Sequence, residues 1–185
     1  VFGEIFNAAL EAAAYESDDI SALIREALTY IPENSRVYRS VSHMLVLYED
    51  GVPLPEAREI ILREHGRNNF TDAPQNIAFE LAGLLWGENF EDAILKVVNL
   101  GYDTDCTGAT TGSILGILNP AGIEERWTKP IGEALVLSAN IPNMCESRTV
   151  GEFCDVVAAM STEILTYYGS EVTVQPTVFA PYIAK

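Results

Sequence analysis

Basic residues are scarce in this chain. Lysine and arginine together number 11 against 27 aspartates and glutamates, giving a formal net charge of −16 and an isoelectric point near 4.3. A field of that sign repels phosphate backbones and anionic lipid, so it argues against nucleic acid and membrane surfaces as partners. Cysteine is scarce as well. Cys106, Cys145 and Cys154 match neither a zinc knuckle nor a CxxC redox pair. An odd, low count predicts a reducing, cytoplasmic setting rather than a disulfide framework. No run approaches the ~20 apolar residues of a membrane span. Glu4, Glu11 and Glu16 interrupt the start, where a secretory leader would be basic and then apolar. Internal repeats and low-complexity linkers are lacking too. The chain starts at Val1, already in helical periodicity, and this predicts a further portion upstream.

What is present is ordinary globular composition. The 185 residues are 48% hydrophobic and 21% charged. A chain of this size buries roughly 70% of its unfolded surface on folding, enough for a core without staples. The apolar pattern is helical almost throughout. Phe2, Ile5, Phe6, Ala9, Leu10 and Ala13 recur at three- and four-residue spacing. Asp18 or Asp19 caps a second helix carrying Ile20, Leu23, Ile24, Ala27, Leu28 and Ile31, which Pro32 stops. A third helix spans about 35–48 and buries Val37, Val41, Met44, Leu45 and Leu47; a fourth begins around Pro55. Residues 66–74 read as a loop.

Helices are then predicted at about 75–85, from Asn89 to near Gly101, from 103–107 to about 117, at 123–137 in two pieces around Pro130, and at 150–168. Residues 170–185 read as an extended tail. No stretch sustains a 3.5-residue period, so the expectation is one all-α unit over 1–185, a compact orthogonal multi-helix domain rather than a coiled coil.

One segment carries chemistry: Gly101-Tyr102-Asp103-Thr104-Asp105-Cys106-Thr107-Gly108-Ala109-Thr110-Thr111-Gly112-Ser113-Ile114-Leu115-Gly116. Asp103 and Asp105 place two carboxylates just ahead of a helix of small residues, the oxygen chemistry of Mg²⁺, Mn²⁺ or Ca²⁺. Capping of the helix start is the competing reading of the same pair. A calcium-loop reading fails, because its twelfth position should be a glutamate and is Ile114. Gly108, Gly112 and Gly116 form a stripe along one face. Each costs about 1 kcal/mol against alanine inside a helix, so close packing against another helix or a cleft is expected.

This string resembles the C-terminal motif of the ADP-ribosylglycohydrolase family. Upstream, His65, Asn76 and Ala78, the run Leu84-Leu85-Trp86-Gly87-Glu88, and Phe90-Glu91-Asp92-Ala93-Ile94 resemble the family's lead-in helix pair. The resemblance covers roughly residues 1–140 and is strongest between 76 and 116. It implies an all-α fold and two divalent cations, Mg²⁺ or Mn²⁺, in a cleft. It also implies hydrolysis of the bond at the ribose anomeric carbon of an ADP-ribosylated protein or small molecule. Asp103 and Asp105 are then metal ligands.

Cys106 stands where the family has a threonine. A thiol is a poor partner for a hard cation, so either one metal is held more weakly or Thr107 substitutes. The Gly-Asp-Ala-x-Gly and Thr-Asp-Asp elements of the family do not occur here. The remaining ligands are therefore expected from an N-terminal portion or an accompanying chain, the alternative being a catalytically inactive binding or structural relative.

The other polar residues have simpler readings. His65 precedes Gly66 at a helix end, where a cation suits the dipole. His43 reads as a satisfied core histidine. Gln75 and Asn76 read as helix caps.

Overall fold

The computed structural model describes residues 1–136 and 148–171. It separates into two compact units, Val1–Glu124 and Glu125–Lys185. The first unit holds seven α-helices among its residues: α1 (Phe2–Ala13), α2 (Ile20–Leu28), α3 (Arg36–Glu49), α4 (Leu54–Glu64), α5 (Ala73–Trp86), α6 (Phe90–Asn99) and α7 (Thr104–Leu118). A short 3-10 turn, Pro120–Gly122, follows α7. In the second unit α8 is Glu125–Thr128 and α9 is Val150–Tyr167. The described residues contain no strand, only an isolated bridge between Ala134 and Thr149. The fold is all-α, as the periodicity predicts. No helix among the described residues is long and apolar enough to cross a membrane.

Helix starts follow local chemistry. The Asp19, Ser35 and Asn89 side chains accept from the backbone N–H groups of Ala22, Tyr38 and Asp92, each three residues on. Pro55 occupies the first turn of α4, where its missing N–H is no loss. Two boundaries differ from the pattern. Helix α2 ends at Leu28, four residues before Pro32, through a tight last turn capped at Thr29. Helix α5 starts at Ala73, so Pro74 lies in its first turn rather than in the preceding loop.

Helix α5 is the centre of the first unit. Every residue from Pro74 to Leu85 is buried. A helix that is apolar nearly all round must be covered on all sides, and α1, α2, α3, α4, α6 and α7 all pack on it. Phe6, Leu10, Ile24, Met44, Ile61, Phe79, Leu81 and Ile114 fill the core around it. Fully burying one such side chain contributes roughly 1.5–3 kcal/mol.

The glycine stripe of α7 packs on α6. A Cβ at Gly108 would lie 3.3 Å from Val98 and one at Gly112 would lie 3.6 Å from Ile94; Gly116 faces Ile123 at 3.7 Å. A tighter helix crossing is elsewhere. A Cβ at Gly83 in α5 would lie 2.8 Å from Thr111 Cγ2 and 3.0 Å from the Ala93 carbonyl.

In the second unit, only Glu125–Thr128 is helical within the stretch read as 123–137, and Leu137 lies outside the described residues. Helix α9 matches its predicted span, and Thr149 and Glu152 form a reciprocal capping box at its start. Of its apolar face, Phe153, Val156 and Leu165 are half-buried, while Val157, Met160 and Ile164 are exposed. Cys145 and nearly all of the predicted tail also lie outside the described residues.

Candidate active-site cleft

Helix α6 ends at Asn99 and is capped by Leu100; Gly101 follows with φ of +79° and Tyr102 with φ of +67°. Two successive left-handed residues swing the chain sharply from α6 into α7. The conformation is strained for tyrosine, by about 1–3 kcal/mol. Tertiary contacts hold it: the Tyr102 ring sits on Phe79 at 5.9 Å and beneath the Arg58 guanidinium at 5.8 Å. Arg58 is itself fixed by donating from Nε to the Leu100 carbonyl at 2.8 Å. The turn delivers Asp103 to the N-cap of α7, just ahead of Thr104.

Asp103 does not cap the helix with its side chain. Its backbone N–H donates to Asn76 Oδ1 at 3.3 Å, while Asn76 Nδ2 donates to the carbonyls of Phe70 and Asp72 at 2.7 and 3.2 Å. The neighbouring Gln75 accepts from the Arg67 N–H and donates to the Asn69 carbonyl. These two buried amides, read from sequence as caps, instead fasten the 66–72 loop to α5, and Asn76 links α5 to the start of α7. The Asp72 carboxylate is gripped from outside by Arg36, with N–O distances of 3.0 and 2.7 Å.

The Asp103 carboxylate is free of the helix to face a cleft of about 300 Å³. Its walls come from α1 (Glu4, Asn7), α5 (Asn76 in the first turn, Glu80 in the middle) and the N-terminal end of α7 (Asp103, Cys106). One ligand atom each from Asp103, Asp105 and Cys106 lie within 4.8 Å of one another. Asp103 is half-buried, and Asp105 and Cys106 are exposed. The Cys106 thiol donates to the Asp103 carboxylate, and this bond together with that negative charge pushes the thiol above its ordinary range.

Thr107 is fully buried, and its hydroxyl donates to the Thr104 carbonyl at 3.4 Å, away from the residues that line the cleft. Thr111 is likewise buried and donates to the Glu80 carbonyl at 3.0 Å.

Glu80 is the group that sequence reading missed. It is 6% exposed, lines the cleft, and accepts from Asn7 Nδ2 at 3.0 Å. Burial pushes its carboxyl up to about 8; the Asn7 hydrogen bond opposes this, and the charges of Asp103 and Glu11 add to it. The available signal is a lone acidic residue inside the apolar run Ile77-Ala78-Phe79-Glu80-Leu81-Ala82.

The donors suit a hard cation in part. Asp103 and Glu80 line the cleft, Asp105 has a ligand atom within 4.8 Å of one on Asp103, and carboxylate oxygen is what Mg²⁺ and Mn²⁺ select. The protonated thiol of Cys106 does not suit such an ion.

Fold and cleft together define an all-helical protein with a carboxylate cluster built around the N-terminus of a small-residue helix. The sequence profile of the ADP-ribosylglycohydrolase family matches residues 1–159, and the chain belongs to that family. Comparison with curated proteins and comparison with solved structures each gave no match.

Proposed function

We propose that this protein hydrolyses an ADP-ribosyl bond at the ribose anomeric carbon, with Asp103 and Asp105 holding a divalent cation, Mg²⁺ or Mn²⁺, at the mouth of the cleft. The observation that carries this reading is the family match over residues 1–159. The carboxylate cluster at Asp103 and Asp105 supports it from geometry. A bound cation there supplies positive charge that orients ribose hydroxyls and polarises water or the leaving atom. In a chain of net charge −16 it also offsets the repulsion that a pyrophosphate would meet.

The chain's own residues do the positioning. Asn76 fixes the backbone of Asp103, and the Tyr102 turn aims it at the cleft. Glu80 adds a carboxyl to the cleft wall that holds its proton at neutral pH in the cation-free protein. Two aspartates fill about two of the six or so positions of a hard cation. Water, substrate hydroxyls and acidic residues from outside this chain complete the shell in this reading. The substrate is an ADP-ribosylated protein side chain or an ADP-ribose-containing small molecule.

One observation favours a second reading, that of a relative which binds without turnover. The soft Cys106 sulfur, hydrogen-bonded to the Asp103 carboxylate, stands where the family's threonine would offer a hard oxygen.

The test is release of ADP-ribose from ADP-ribosylated protein and small-molecule substrates, with Mn²⁺ or Mg²⁺ and after chelation. The expected result is metal-dependent release that Asp105→Ala abolishes while the helical circular dichroism is kept. Full activity in Asp105→Ala refutes the ligand role. A folded protein that binds Mn²⁺ and releases nothing selects the second reading.

A further inference from the structure

We infer that His43, Glu64 and His65 form a binding site for a transition-metal dication of the zinc class, sharing no residue with the acidic cleft. His43 lies midway along α3, Glu64 is the last residue of α4, and His65 caps that helix. The packing of α3 on α4 brings the three together. His43 Nδ1 stands 2.9 Å from His65 Nε2 and 3.5 Å from Glu64 Oε2. One ligand atom from each residue falls within 4.8 Å of the other two.

Bonds of about 2.0–2.2 Å at tetrahedral angles set zinc's ligand atoms roughly 3.3–3.5 Å apart, close to both separations from His43 Nδ1. Two imidazoles and one carboxylate are a known three-ligand set for zinc, with water in the fourth position. The side chains of His43 and Glu64 are 27% and 45% exposed, so an ion reaches them from solvent.

Local chemistry points the same way. Burial first, then the neighbouring His43, holds His65 below its ordinary value, in the neutral form that ligates metal. This is the reverse of the cationic helix-end role read from sequence. Without an ion, the two facing nitrogens share one proton. With the ion bound, both present lone pairs to it, and each ring carries its proton on the far nitrogen, Nε2 of His43 and Nδ1 of His65. The C-terminal end of α4 adds the negative pole of its dipole. Glu64 keeps Oε1 on Arg63 at 2.9 Å, leaving Oε2 toward His43.

An anion is the rival occupant, since Arg36, Arg39, Arg67 and His65 line a neighbouring pocket of about 350 Å³. Two of those arginines are already committed. Arg36 is spent on Asp72 and the His65 carbonyl, and Arg39 donates to the Ser35 and Asn34 carbonyls. The cation is therefore the favoured ligand.

The chain has only two histidines, so ring-nitrogen NMR reads the site directly in the unmutated protein. Titration of the full chain with Zn²⁺ is expected to shift both rings at the nitrogens named, saturating near one equivalent. An Asp105→Asn/Cys106→Ser variant, which disables the cleft cluster, is expected to keep this response. His65→Gln is expected to weaken Zn²⁺ binding by at least the roughly tenfold loss that even outer partners of a ligand cause. Zn²⁺ that binds and leaves both imidazoles unmoved would overturn the assignment. So would inorganic phosphate moving the His65 ring where Zn²⁺ does not.

Discussion

Glu80→Gln isolates the energetic cost of a carboxyl buried beside an acidic cleft. In the folded protein this carboxyl titrates at about 8, against 4.5 ordinarily. Between those values the folded state holds a proton that the unfolded state has released. Stability must then fall as pH rises, and the contribution is fully present only below the unfolded value. The slope is about 1.4 kcal/mol per pH unit, and over the whole interval the loss reaches about 5 kcal/mol.

Glutamine keeps the shape and can still accept from Asn7, but it does not titrate. The stability of Glu80→Gln minus that of the parent should therefore be near zero below pH 4.5 and grow steadily to pH 8. It should be flat above that. Urea unfolding with a chelator present, at one-unit steps from pH 5 to 9, measures the difference directly. Other titrating groups cancel between the two proteins. A difference constant to within about 0.5 kcal/mol across the series would refute the reasoning. It would mean that Glu80 is ionised in the fold and matched by a charge or water that the cleft geometry does not show.

The two kinds of glycine should separate on substitution. Gly83→Ala forces a methyl against Thr111 and the Ala93 carbonyl and should destabilise by about 1–3 kcal/mol in thermal or urea denaturation, whereas Gly112→Ala meets Ile94 at ordinary contact distance and should stabilise by up to about 1 kcal/mol. Equal effects at both positions would remove the distinction. Asn76→Ala strands the Phe70 carbonyl and the Asp103 N–H, while the Asp72 carbonyl keeps the backbone N–H of residue 76, so a loss of about 1–3 kcal/mol is expected in the same assay; a change under about 0.5 kcal/mol would show water replacing the amide.

Much of this protein was legible along the chain because its causes are local. Helix period, the Asp19 cap and the helix limits at Asn89 and near Gly101 each depend on residues within a turn of one another. The family resemblance was equally legible, since it rests on one continuous string around Asp103 and Asp105. Where a boundary was misread, at α2 or α5, the error came from giving proline too much weight: Pro32 lies beyond a helix that had already ended, and Pro74 begins one.

Tertiary structure decided the rest, because packing joins residues whose separation leaves no periodic trace. It placed Glu80, from the middle of α5, beside Asn7, 73 positions away, and so made a titrating cleft wall from an ordinary acidic residue. It turned Asn76 from a cap into the brace of Asp103 and made Gly83 a closer helix crossing than the α7 stripe. It also paired His43 with His65 across two helices, 22 residues apart. Distances between side chains arise only once α5 is surrounded, and the chemistry of both clusters depends on those distances.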